Sequence, residues 1–140
     1  MTDRRLLGVA SVYTLVTAYG AVVSLRRDVP GEAFGIPWPD RVPMTLAVGM
    51  GSGTSAPWPM PLATLVAAIR ADGDADWPGK VCIAVGWSTV VGTLGEPATW
   101  GKHGGSWDIR STAALNVLCG LALVTAGRRY LGGRALPVSF

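Results

Sequence analysis

The sequence predicts an all-α integral membrane protein: a four-helix transmembrane bundle with a Pro/Gly-rich irregular segment before or within the second span. Three observations carry that expectation. Charged residues are 15% of the 140-residue chain against 49% hydrophobic, and mean hydropathy is +0.36, whereas a soluble domain carries about 25% charged residues. All 12 Lys and Arg lie outside the long apolar runs, as a bilayer demands, because a charge at its centre costs roughly 2.5–3.5 kcal/mol. Finally, the stretch "GMGSGTSAPWPMP", Gly49 to Pro61, packs three glycines and three prolines into an uncharged run that extends from Val42 to Ile69. The chain reads as one domain, 1–140, with spans near 6–25, 55–70, 81–100 and 111–127.

Leu6 to Leu25 is an uncharged run of 20 residues bracketed by Arg4-Arg5 and Arg26-Arg27. At about 1.5 Å per residue it matches a hydrocarbon core of about 30 Å. It is long for a signal-peptide core, and Arg26-Arg27 is a poor cleavage context, so it reads as the first span. "DVPGEAFGIPWPDR", Asp28 to Arg41, is too rich in proline and glycine for a helix and reads as an interfacial loop. Two arrangements accommodate the run from Val42 to Ile69. In the favoured one, Val42 to Thr54 dips in and packs against the bundle, and a short helix runs from about Ser55 to Arg70, so that the Pro-rich stretch is a capped helix start at the membrane surface. In the other, two half-helices flank an unwound centre that lines a site. Both require the stretch to be shielded from lipid.

Asp72, Asp74 and Asp76 in the next turn have the alternation of a calcium loop, but Trp77 stands where such a loop needs glycine, so a solvated acidic turn is the expectation. Val81 to Trp100 forms the third span, interrupted late by Glu96-Pro97. The fourth is capped by Ser111 or Thr112 and stops at Gly127, with Arg128 and Arg129 behind it. An N-terminus inside puts Arg4, Arg5, Arg70, Lys80, Arg128, Arg129 and Arg134 in the cytoplasm, seven basic residues against five outside. The positive-inside rule therefore leans towards both termini being cytoplasmic.

Small and hydroxyl residues form stripes on the predicted helices: Tyr13, Thr17, Gly20 and Ser24 on the first; Ser88, Gly92, Gly95 and Thr99 beside Thr89, Thr93 and Glu96 on the third; Thr112, Asn116 and Cys119 on the fourth. Close helix packing uses such stripes, and Gly49-x-x-x-Gly53 is likewise a packing pattern. The same stripes can converge on a polar interior. Glu96 is the one acid attached to a predicted membrane helix, which marks it as the candidate catalytic group, assisted by Tyr13 and Asn116. Thr17, Thr89, Thr93, Trp58 and Trp87 are the candidate substrate-binding residues. Lys102 or Arg110 can pair with Glu96 if it reaches the interface. The pairs Trp38-Pro39, Trp58-Pro59 and Trp77-Pro78 read as an interfacial aromatic belt.

Other features exclude chemistry. Cys82 and Cys119 lack metal-ligand or redox spacing and read as small buried hydrophobes. His103, the single histidine, lies in a glycine-rich loop without metal partners; Asp40, Arg41 and Asp108 read as solvated loop charges. No hydrolase, zinc-protease, phosphate-loop or dinucleotide signature occurs, and no metal or cofactor is expected. The basic residues come in ones and twos beside apolar runs, which fits membrane anchoring and excludes a nucleic-acid partner. In size and span layout the chain is similar to the multidrug-resistance dimers and the sterol-isomerase-like bundles, although the first-helix glutamate of the former has no counterpart here. Three functions are consistent with this reading. The first is a pocket inside the bundle for an apolar or lipid-like small molecule, with isomerisation or cyclisation by Glu96. The second is a small oligomeric transporter or channel. The third is a non-catalytic subunit of a larger membrane complex. The expected partners are membrane lipids, an apolar ligand, and further copies of the chain or a larger membrane protein.

Overall fold

A computed structural model describes residues 3–38 and 41–133, and among these the chain is all-helical, with one isolated bridge and no strand. Five α-helices follow in order: α1 (Arg4–Arg27), α2 (Val42–Ala47), α3 (Pro59–Ile69), α4 (Trp77–Gly95) and α5 (Trp107–Gly132). Single 3-10 turns lie at Ala33–Gly35 and Pro97–Trp100. Asp3 caps α1, its Oδ1 accepting from Arg5 N and Leu6 N, and Arg26 and Arg27 close the last turn, where cations suit the helix dipole. The helix thus includes the arginines that bracket the apolar run, since hydrogen bonding continues past the hydrocarbon-length stretch.

Two of the helices, α1 and α5, are long and apolar enough to cross a membrane. α4 has the length, 19 residues, but Trp77, Pro78, Gly79 and Lys80 in its first turn dilute its hydropathy. α3, at 11 residues, is too short to cross alone. The fold therefore differs from four equal spans. The third helix ends at Gly95, before Glu96-Pro97, because proline cannot continue it. The last begins at Trp107, four residues ahead of Ser111, and runs on through Gly127 to Gly132.

Gly127 does not stop α5, because it serves a helix contact. α4 and α5 are the most extensively packed pair, and glycines seven residues apart face each other across it: Gly79 opposite Gly127, Gly86 opposite Gly120. A Cβ on Gly86 would lie 2.5 Å from Gly120 O, one on Gly120 2.7 Å from Gly86 O, and one on Gly127 2.6 Å from Gly79 O. The two backbones touch, which only glycine permits, and dispersion plus Cα–H···O contacts hold them. α1, in contrast, keeps its backbone away from α4 and packs on α5 and α3. One end of the bundle is closed by apolar packing of Leu6, Ala10, Tyr13, Ala67, Ala68, Cys82, Leu123 and Tyr130.

The other end is filled by the Pro/Gly-rich stretch. Between α2 and α3 the chain forms a narrow finger: Ser52 and Ser55 exchange backbone hydrogen bonds, Trp58 N donates to Gly49 O, and Gly53-Thr54 is the tip. Gly49 and Gly51 take positive φ (80° and 83°), where a side chain would be strained. The tip lies against Gly20 and Thr17 of α1, about 10–15 Å in from that helix's end at a rise of 1.5 Å per residue. The stretch is thus packed within the bundle, deeper than a helix start at its surface.

Two substitutions probe these contacts. Gly86→Ala should overpack the α4–α5 contact and lower stability by about 1–3 kcal/mol, seen as a clear drop in Tm. Gly8→Ala, where a Cβ meets nothing within 4 Å, should leave Tm unchanged or slightly higher. Gly20→Ala should be worse than either, because its methyl would lie 2.0 Å from Thr54 O. It should raise amide hydrogen exchange across the finger, residues 49–58.

Candidate polar cavity beneath the finger

The finger is held by hydroxyls. Thr54 Oγ1 donates to Gly20 O (2.7 Å) and Ser55 Oγ to Thr17 O (3.1 Å). Ser24 shares short hydrogen bonds with Thr54 and Ser52, each 2.6 Å. Gly53 N donates to Val29 O (3.3 Å). From α5, Asn116 Nδ2 donates to Thr54 O (3.2 Å). The Gly53 and Asn116 bonds satisfy finger backbone that no helix satisfies, and the hydroxyls dock the finger onto α1.

Because α1 and α4 stand apart and the finger fills only part of the gap, a cavity of about 220 Å³ remains between the finger and α4. One face of α4 forms its wall, Ser88, Thr89, Gly92 and Thr93, spaced alternately one and three residues apart, with Glu96 just past the helix end. Ser52, Gly53, Thr54 and Ser55 line it from the finger, and Asn116 from α5. Met50, Ala56, Pro57, Met60 and Trp38 supply its apolar part. A void of about 150 Å³ already takes a benzene-sized guest.

The structure divides the residues expected at a site. Glu96, Asn116, Thr89 and Thr93 share the cavity wall. Tyr13 stands one step behind it, fully buried, with its hydroxyl 2.8 Å from Thr89 Oγ1. Thr17 is buried on α1, where its carbonyl anchors Ser55 and its hydroxyl returns to Tyr13 O (2.9 Å). Trp58 belongs to the finger's base, half-buried, and does not line the cavity. Trp87 is 43% exposed on another face of α4. The finger's own serines, Ser52 and Ser55, were not singled out from sequence, although small hydroxyls in an uncharged loop were their signal. Pro39, Asp40 and Arg134 lie outside the described residues.

Glu96 sits just past α4, 7% exposed. Its Oε1 accepts the backbone N–H of Glu32 at 3.0 Å. Burial pushes its carboxyl up from an ordinary 4.5 to about 7, with the Glu32 N–H pulling the other way and the Glu32 charge adding to the rise. Lys102 does not pair with Glu96. It binds Glu32 Oε2 at 2.6 Å, and His103 Nε2 lies 3.5 Å from the same oxygen. The Lys102 hydrogen bond holds Glu32 below the usual carboxylate range. His103 thus lies beside the Glu32–Lys102 ion pair, its Nε2 buried without a hydrogen-bond partner. Asp108 is held down to about 2, first by Ser106 Oγ and then by Arg27, whose Nε is 2.8 Å away. No group of three or more His, Cys, Asp or Glu that could hold a metal ion occurs among the described residues. No family model matches the chain, and no curated protein or solved structure does so either.

The raised Glu96 value fixes a sign. Between about 4.5 and 7 the folded chain holds a proton on Glu96 that the unfolded chain has lost, so raising pH through that window costs stability. Glu32 and Asp108, both lowered, complete their contributions below that window. Thermal unfolding from pH 5 to pH 8 should show Tm falling, and Glu96→Gln should flatten the slope.

Proposed function

We propose that this chain is a multi-pass membrane protein whose bundle holds a small apolar or lipid-like molecule in the cavity beneath the finger, with Glu96 as its acid–base group. In this reading α1, α4 and α5 cross the bilayer, and α2, the finger and α3 together form a broken fourth segment. Outward rows of large apolar side chains support it: Val12, Leu15 and Val22 on α1, Leu62 and Val66 on α3, Val91 and Leu94 on α4, Leu118 and Leu121 on α5 are all exposed. In water such a surface would aggregate; in lipid it is solvated. The finger is non-helical backbone shielded by protein, which is the form membranes tolerate. The residue before α1 and the end of α5 then share the basic side of the membrane, which the positive-inside rule places in the cytoplasm.

The observation that carries the reading is the cavity wall itself. Glu96 and Asn116, both more than nine-tenths buried, flank a face of α4 that presents only glycine and hydroxyls. Burying a carboxyl and an amide is costly, and sites that use such groups bear that cost. A carboxyl that titrates near neutrality can both give and take a proton. Proton shifts on a bound molecule, as in isomerisation or cyclisation, need no net redox change. Asn116 would orient the molecule, and Tyr13 would act through Thr89.

Ligand binding tests this reading in the purified, detergent-solubilised chain. Octanol should raise Tm by several degrees at saturation. Gly92→Leu should keep the fold, since a Cβ there meets nothing within 4 Å, and should fill the cavity and abolish the octanol shift. An absent shift in the wild type, or an equal shift in Gly92→Leu, would remove the pocket.

A further inference from the structure

We infer that the occupant of this cavity carries a protonated amine, making it a site for a small alkylammonium amphiphile; the inference rests on the pocket reading above. The argument follows the direction of each hydrogen bond on the wall. Gly20 O can only accept, so Thr54 Oγ1 spends its proton there (2.7 Å). Ser24 must then donate to Thr54, and Ser52 to Ser24, at 2.6 Å each. Ser52 thereby points its proton away from the cavity it lines and keeps free lone pairs. Thr89 likewise spends its proton on Val85 O (2.9 Å), so the Tyr13 hydroxyl donates to it.

Asn116 adds an independent observation. Thr54 O fixes the orientation of its amide, because a carbonyl needs the Nδ2 donor (3.2 Å). Oδ1 is then left buried with no hydrogen-bond partner, in a residue only 5% exposed. An unpaired buried acceptor is costly, and this one is closed off from the cavity's open space, so only a turn of the side chain would present it to an occupant. Glu96 meets one protein donor, the Glu32 N–H on Oε1, and no cation is engaged with it. Lys102, from the loop before α5, is bonded to Glu32 and reaches Glu96 only as a charge at a distance, and Arg27 of α1 is paired with Asp108 of α5.

Of the wall's side-chain oxygens, those of Ser52 and Thr89 are thus acceptors, joined by the Glu96 carboxyl, which has no ion-pair partner. A primary ammonium supplies three donors and the missing positive charge. Met50, Met60 and Trp38 receive its hydrocarbon part and favour a cation at their edge through polarisable sulfur and the indole face. A carboxylate or phosphate head would meet Glu96 as a like charge, with only the Ser88 and Thr93 hydroxyls and the Trp38 indole N–H as donors. Ammonium binding requires the ionised carboxylate, so it must expel the proton that burial holds on Glu96 up to about pH 7.

The experiment compares octylammonium, octanol and octanoate on the full chain in detergent at pH 8 and pH 6, with Gly92→Leu reporting partition into the micelle. At pH 8 octylammonium should bind at least tenfold more tightly than octanol, and octanoate more weakly than either. The tenfold preference should shrink at pH 6, where Glu96 is protonated while the amine, with a pKa near ~10, stays charged. Glu96→Gln should lose the amine preference, so that the ratio of octylammonium to octanol affinity falls to about one. Should that variant fail to fold, the pH dependence in the wild type decides. Octanol binding as tightly as octylammonium would overturn the inference and leave the pocket standing. A preference that survives in Glu96→Gln, or is equal at both pH values, would also overturn it. No binding of any of the three would remove the pocket reading together with the inference.

Discussion

Non-helical backbone among apolar helices is the constraint on which the rest of this structure depends. Each N–H and C=O of the finger needs a partner that neither water nor a helical turn supplies. The finger meets that need mostly with itself and its neighbours: Ser52 and Ser55 pair with each other, Trp58 N with Gly49 O, Gly53 N with Val29 O, and the Asn116 amide with Thr54 O, while the hydroxyls of Thr54, Ser55 and Ser24 tie the finger to α1. Hydroxyls suit the task because they donate and accept and occupy little volume. Gly20 completes it, since its missing Cβ is what lets Thr54 O approach the α1 backbone. Removing the Asn116 amide would take the side-chain donor from Thr54 O, at a cost of about 1–3 kcal/mol where that leaves it buried and unpaired.

The finger also explains why a cavity exists. α4 and α5 touch backbone to backbone through Gly79, Gly86, Gly120 and Gly127, which draws α4 to the far side of the bundle from α1. At the closed end Tyr13 spans the gap to Thr89, with alanines and leucines packed below it. At the other end the finger enters from the rim and cannot fill the width that α1 and α4 leave. A bundle with equal spacing all round would have neither the gap nor the loop. Tight packing on one helix pair and looseness on the other are two sides of one arrangement.

This division explains how much the sequence revealed. The first helix was legible because charge brackets an apolar run of membrane length, a signal that needs no tertiary context. The irregularity of Gly49 to Pro61 was equally plain, since proline and glycine act locally. Its depth was not, because the groups that satisfy it sit on Gly20, Ser24 and Asn116, far off in sequence. Gly127 looked like a helix stop because glycine followed by arginines is one locally; its partner Gly79 gives it a different task. The seven-residue spacing of Gly79 and Gly86, repeated by Gly120 and Gly127, was the available signal. Of the residues expected at a site, those on one face of α4 gather at the cavity, whereas Trp87, adjacent in sequence to Ser88, turns outward. Periodicity ranks faces, but the face that meets a void depends on the neighbours.

Glu32 ties the polar end together. Its backbone N–H holds Glu96 at the cavity, while its carboxylate gathers Lys102 and His103 at the rim. The loop after α1 and the loop before α5 are thereby fastened to the end of α4 through one residue. The arrangement keeps the Lys102 ammonium on Glu32 at 2.6 Å and leaves Glu96 without an ion pair. A bundle selected for packing alone gains nothing from an acid and an amide oxygen left uncompensated in its interior, where an apolar pair of similar volume would cost less. The rim cluster then fixes Glu96 in place without neutralising it.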